Sequence, residues 1–193
     1  MTENDEAINL GYKHRCHTPT PEPLKVEGYY TPITYKSSEH RVSIYTNYKI
    51  VQQHDTFYKF TSLCLELETE KGNLLVYGTI MGILGNRDPS YEKDLIKQIE
   101  DFRRFTDEGY NLCICGDYNC SFFSNYYFTN KGRENICETF SDCDIELLTY
   151  DCSSCIDHIA ISKKFIADST PHISEWNEDK HLSDHKGVSI RFD

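Results

Sequence analysis

Leu112-Cys113-Ile114-Cys115-Gly116-Asp117-Tyr118-Asn119 is the stretch on which the reading of this chain turns. Four apolar residues in a row form a short strand of the buried kind, in which a cysteine packs as a small hydrophobe. A glycine follows, where the backbone is free to turn sharply. Asp117 and Asn119 lie two positions apart, so in extended chain they share a face. One carboxylate and one amide on a face, just past the end of a strand, can orient a water and hold a phosphate oxygen. An Asx turn ending a strand is the plainer reading.

Upstream of this strand lies the clearest helix. Asp88-Pro89-Ser90 supplies its start, Leu95, Ile96, Ile99, Phe102 and Phe105 recur at helical spacing, and Gly109 closes it. Further back, Phe60 to Leu67 alternates, with Thr61, Leu63, Leu65 and Leu67 on one face. Lys71-Gly72-Asn73 makes a turn into the apolar run Leu74 to Ile83, and the two runs form a hairpin. Val42 to Tyr45 is a short strand. Residues 2–10 read as a short helix capped by Thr2 or Asn4 and stopped at Gly11. His14 to Pro32, punctuated by Pro19, Pro21, Pro23 and Pro32, reads as loop. Downstream, 133–140 is a short helix, and Ile145 to Leu148, Ile156 to Ser162 and Val188 to Phe192 are strands. Strand–helix–strand with antiparallel pieces on both sides makes a mixed α/β layered fold in one domain over residues 1–193.

Two further polar clusters sit at strand ends. Asp157-His158 interrupts the apolar run Ile156 to Ile161, where burying ionisable groups costs free energy unless they pair or bind a metal. Ser183-Asp184-His185 precedes the final strand, and an Asp beside a His can orient the imidazole or share a metal. A strand-start aspartate in water and a polar turn are the bland alternatives for these two.

Bulk properties narrow the partners. The 193 residues suffice for one sizeable core, and 38% hydrophobic with 26% charged is the balance of a globular chain. A net charge of −11 argues against tight nonspecific nucleic-acid binding, which rests on phosphate contacts, but leaves room for an enzyme that meets a phosphate briefly. No apolar run is long enough to span a bilayer, and Met1 to Glu6 lacks the basic start of a secretory signal, so the cytoplasm is the expected location. The nine cysteines are an odd number with no second C-x-x-C beside Cys152 and Cys155, which favours reduced core thiols over disulfides or a structural zinc. Phe122, Phe123, Tyr126, Tyr127 and Phe128 either pack their rings inward or stack on bases or a lipid headgroup. The short pairs Arg103-Arg104 and Lys163-Lys164 read as solvated faces.

Taken together, Gly116-Asp117-Tyr118-Asn119, Asp157-His158 and Ser183-Asp184-His185 resemble the motif series of the endonuclease/exonuclease/phosphatase superfamily. That group includes apurinic endonucleases, pancreatic-type deoxyribonuclease, sphingomyelinases and inositol polyphosphate phosphatases. Its members carry G-D-x-N, then D-H or D-Y in a strand, then S-D-H near the end, and the match covers at least residues 60–193. The resemblance implies a four-layered α/β sandwich of two mixed sheets flanked by helices. It also implies a divalent-metal-dependent phosphoester hydrolase, a phosphodiesterase or nuclease, using Mg2+ with Mn2+ as the alternative. By the same resemblance His185 contacts the scissile phosphate, Asp157 holds that histidine, Asp117 orients or deprotonates the attacking water, Asn119 fixes the phosphate or Asp117, and Asp184 binds or supports metal. The substrate is a phosphoester, with nucleic acid among the candidates.

The departures from the pattern are at the start and in one strand. The family opens with a strand carrying a metal-linked asparagine, followed by a glutamate ligand. Thr2-Glu3-Asn4-Asp5 with Leu10-Gly11-Tyr12 looks like the stretch around that glutamate, which makes Glu3 the metal ligand and places the start of this sequence after the first core strand. In Tyr77-Gly78-Thr79-Ile80-Met81-Gly82, where relatives place a Tyr or His against the phosphate, Thr79 is the polar candidate for substrate binding. An impaired relative serving as a binding or regulatory module is the alternative function.

Overall fold

The structure, a computed structural model, describes residues 3–4 (backbone only), 11–23 and 34–193. Its centre is a six-stranded mixed sheet in the order β5-β6-β7-β8-β10-β9. These strands are β5 (Lys49–His54), β6 (Ser62–Thr69), β7 (Gly72–Ile80), β8 (Leu112–Asp117), β9 (Ile145–Leu147) and β10 (Asp157–Ser162). β7 and β8 run parallel, and every other neighbouring pair is antiparallel. The parallel step requires a crossover, and α1 (Tyr91–Asp107) supplies it.

The helical periodicity of α1 buries Leu95, Ile99, Phe102 and Phe105 against one face of the sheet, with Cys64, Leu75, Tyr77, Leu112 and Ile114. Each large side chain so buried contributes about 1.5–3 kcal/mol. Ile96 departs from the expected stripe: it is 42% exposed, because one step from Leu95 rotates it out of the seam. α2 (Asn130–Asp142) covers the same face through Ile136 and Phe140. Thr129 caps it, accepting the Gly132 N–H at 3.1 Å, which starts the helix three residues before the expected 133.

The opposite face is covered by strand pairs. β2 (His14–His17) pairs with β4 (Ser43–Thr46), and Val42 and Ile44 pack on Leu63, Leu65 and Leu67. β11 (Pro171–Trp176) pairs with β12 (Gly187–Phe192), whose Phe192 packs with Leu74, Ile161 and Ile166 beside the short α3 (Lys163–Ile166). β1 (Glu3–Asn4) pairs with β3 (Glu39–His40). The described residues thus build helices, a central sheet and a layer of two-stranded pieces.

Several local expectations are corrected. Glu3–Asn4 is extended, not helical, because pairing with β3 satisfies its backbone groups; residues 5–10 of the expected helix lie outside the described residues. His14–His17 is a strand where a loop was expected, while 24–32 of that loop lie outside the described residues. β5, β11 and α3 carry too little apolar alternation to announce themselves. β6 is buried on both faces, with Cys64 toward the helices and Leu63, Leu65 and Leu67 toward the strand pairs. β7 stops at Ile80 rather than Ile83, since Gly82 takes φ +76 and turns the chain away. The aromatic run divides: Phe122 is buried, whereas Phe123 and Tyr126 are 61% and 50% exposed. All nine cysteines are free thiols.

Candidate active site

β8 and β10 place the site. Their antiparallel register sets Asp117 opposite Asp157 and Gly116 opposite His158. Because side chains alternate across a strand, Asp117, Cys115 and Cys113 face the strand-pair side with Asp157 and Ile159, while Ile114 and Ala160 face the helices. His158 obeys the same parity. It is fully buried on the helix side, its ring beside Tyr118 and Phe122, with Nε2 on the Cys120 carbonyl at 3.0 Å and Nδ1 on the Thr149 hydroxyl at 2.9 Å. Burial pushes its pKa down to about 4. Of the two ionisable neighbours Asp157 and His158, only the aspartate reaches the site.

Gly116 is required where it stands. It has φ +134, and a Cβ there would lie 2.0 Å from the Thr79 carbonyl oxygen on the neighbouring β7. This close passage of strands is what lets the chain present Asp117 at the sheet end. Tyr118 then turns inward, its hydroxyl donating to the Ile114 carbonyl at 3.0 Å. Asn119, also buried, follows at φ +48, in the left-handed region that asparagine tolerates better than most. Its backbone N–H donates to Asp117 Oδ1 at 2.7 Å. Its side-chain amide donates to the Met81 and Gly82 carbonyls at 3.0 Å and to Asp117 Oδ2 at 3.2 Å.

His185 arrives from the loop between β11 and β12. Its Nδ1 lies 2.7 Å from Asp157 Oδ2, and this hydrogen bond raises the imidazole pKa from its ordinary value, against the opposing effect of burial. Asp117, Asp157 and His185 each offer a ligand atom within 4.8 Å of the others, and no cysteine shares in the cluster. Burial first, and the facing Asp157 charge second, push Asp117 up to about 7; the Asn119 N–H and His185 pull the other way. The three line a cavity of about 290 Å³ with Arg41, Val42, Ile44, Gly78 and Thr79.

The other expected site residues fall as follows. Thr79 borders this cavity, but its hydroxyl donates to the buried Gln98 at 2.5 Å. Gln98 in turn donates to the Ile80 carbonyl at 3.1 Å. Asp184 is exposed and lies outside the three-residue cluster; it lines an adjoining cavity of about 240 Å³ with Asn119, Tyr126, Lys180 and His185. The Glu3 side chain lies outside the described residues.

Two asparagines that sequence reasoning passed over support the site. Asn86 is buried and donates to the Asn119 carbonyl at 2.7 Å, fixing the turn that carries it. Asn177, at φ +56, donates to the Ser183 carbonyl at 2.9 Å and the His185 carbonyl at 2.6 Å, and accepts the Leu182 N–H at 2.9 Å. The loop that delivers His185 is thus closed on one side chain. Neither residue stands out in sequence, because asparagine in a polar loop is ordinary.

This sheet, its helical cover and the strand pairs form an α/β fold similar to that of several solved structures, endonuclease/exonuclease/phosphatase proteins among them. An AP endonuclease from Archaeoglobus fulgidus shares it at TM-score 0.66 and 10% identity, over 99% of this chain and 85% of that one. An endonuclease/exonuclease/phosphatase protein from Beutenbergia cavernae matches at TM-score 0.63 and 15% identity, over 94% of this chain; the chain spans 54% of that relative's length. A 3′ phosphatase from Neisseria, solved bound to product DNA hairpin, matches at TM-score 0.62 and 13% identity, over 83% and 77% of the two chains. No protein-family model matches the sequence, and no curated protein does. Among the described residues no helix is long and apolar enough to cross a membrane.

Proposed function

We propose that this chain is a divalent-metal-dependent hydrolase of phosphoester bonds, a phosphodiesterase or nuclease that activates a water with Asp117 and His185. The observation that carries the reading is the convergence of Asp117, Asp157 and His185 from three separate segments at one cavity. Three ionisable groups held together in a half-buried place cost stability, and a cleft that retains them is a functional-site candidate.

The donor set fits a hard dication. Two carboxylates supply oxygen ligands of the kind that magnesium or manganese prefers. In this reading Asp117 and Asp157 hold the ion, with Asp184 and Glu3 as the further ligands. A bound dication neutralises charge at the phosphate and lowers the pKa of water.

The chain's own groups supply the rest. Asp117, oriented by the Asn119 N–H, is placed to take a proton from an attacking water, and a cation beside it would keep its carboxylate ionised for that role. Asp157 accepts the His185 Nδ1–H, which fixes the ring and turns Nε2 toward a phosphate oxygen. Asn119 holds Asp117 in place, since its amide N–H groups already have acceptors. Thr79 supports the cavity wall beside the phosphate.

Turnover of bis(p-nitrophenyl) phosphate and of a labelled oligonucleotide, with and without magnesium, tests this reading. Hydrolysis should need the metal and fall about 10²–10⁴-fold in His185→Ala or Asp117→Ala. No metal-dependent turnover of any phosphoester would refute it and leave the domain as a binding module.

A further inference from the structure

Two cavities meet at His185, and it is the one residue that lines both. Each carries a cation at its wall, built in the same way. In the first, Arg41 donates to the Tyr35 hydroxyl at 3.3 Å and its guanidinium lies 5.6 Å from the Tyr35 ring centre. In the second, Lys180 donates to the Tyr126 hydroxyl at 3.0 Å and its ammonium lies 5.3 Å from the Tyr126 ring centre. Neither cation has a carboxylate partner among the described residues. Several other basic groups are held in ion pairs: Arg103 with Asp142, Arg104 with Asp101 and Lys163 with Asp144.

Arg41 shares its cavity with Asp117 and Asp157, and Lys180 shares its cavity with Asp184, but neither is held in an ion pair among the described residues, so both can meet an incoming anion. Lys180 also sits at φ +56, a backbone conformation that costs energy in a lysine and that the loop closed by Asn177 imposes. A tyrosine ring beneath each cation adds a flat surface on which a base can stack. With one phosphate at His185, each adjoining cavity still offers a cation to a further phosphate of the same strand. A monoester has one phosphate and would leave both cations idle.

We propose that Arg41 and Lys180, each backed by its tyrosine, bind the phosphates flanking the scissile one, and that the substrate is a nucleic-acid strand crossing both cavities. The inference rests on the hydrolase reading of the central site and adds to it the class of substrate and the two residues that select it.

The test is binding without cleavage. A fluorescein-labelled single-stranded 12-nucleotide DNA is titrated by anisotropy into the His185→Ala protein in magnesium, across a range of salt. Adding Arg41→Ala or Lys180→Ala to that protein should weaken binding about tenfold each. The slope of log affinity against log salt should shrink by about 0.7 for each. Lys164→Ala, at an exposed position remote from the cavities, should change neither. Arg41→Gln and Lys180→Gln, with melting temperatures matched to the parent, replace any alanine variant that fails to fold. Unchanged affinity and slope in the cleft variants, or an equal loss in Lys164→Ala, would overturn the proposal. So would binding to phosphatidylcholine–sphingomyelin vesicles with none to the DNA. A wild-type protein that cuts no phosphoester would sink the hydrolase reading, whatever these affinities are. One that cuts while the affinities stay put sinks only the assignment of Arg41 and Lys180.

Discussion

Asp117→Asn should make the metal-free protein more stable at alkaline pH while removing its water-activating group. The carboxyl is pushed up from 3.8 to about 7, chiefly by burial and then by the facing Asp157. At about 1.4 kcal/mol for each tenfold change in acidity, ionising it in the folded protein costs about 4 kcal/mol relative to the unfolded chain. The sign follows from the direction. The folded state binds this proton more tightly, so the contribution of Asp117 to stability is greatest at acid pH, declines from about pH 4 and levels off above about pH 7. Asparagine keeps the shape and can still accept the Asn119 N–H now at 2.7 Å, but it gives up the acceptor for the Asn119 amide at 3.2 Å, worth about 1 kcal/mol. The variant should therefore be more stable by about 3 kcal/mol at pH 8.5 and weaker by about 1 kcal/mol near pH 4. Urea unfolding in chelator at both pH values measures this. Magnesium should raise the wild-type midpoint more than the variant's and so narrow the difference at pH 8.5. A variant destabilised at both pH values, or by an amount independent of pH, would refute the account of Asp117 as a buried carboxylate strained by its neighbour.

Two further outcomes are expected. Asn177→Ala removes three hydrogen bonds that close the His185 loop and should lower kcat about 10–100-fold with little change in KM, since it misplaces a group without touching substrate; an unchanged kcat would show the loop to be held by other means. His158, kept neutral by burial down to about pH 4, should contribute a loss of about 3 kcal/mol as pH falls from 6.5 toward 4, opposing the gain at Asp117 over the same range. In urea titrations the stability of His158→Gln relative to the parent should rise by about 3 kcal/mol between pH 6.5 and 4, and a difference independent of pH would point to another group.

The motif ends of the strands were legible in the sequence because they break a simple rule. Asp117 follows four apolar residues, and Asp157 interrupts an apolar run, so each marks a place where a strand surfaces. α1 was legible from its spacing and its Pro89 and Gly109 boundaries. β2, β5 and β11 were not, because edge strands such as Lys49–His54 carry polar residues on both faces and owe their form to a neighbour's backbone. Asn86 and Asn177 were equally silent, since their roles lie in carbonyls contributed by distant turns.

By itself, then, the sequence determined the strand–helix–strand order, the residues at strand ends and the chemical types available there, all of which follow from local periodicity. Only the tertiary structure decided which of them meet. Register across β8 and β10 set two carboxylates face to face and sent His158 into the core. The loop closed by Asn177 brought His185 onto Asp157, while Asp184, its neighbour in sequence, stayed in solvent. Arg41 and Lys180, far apart in the chain, came to border two cavities that share His185. Those outcomes depend on pairing and packing between segments far apart in sequence, which no local pattern encodes.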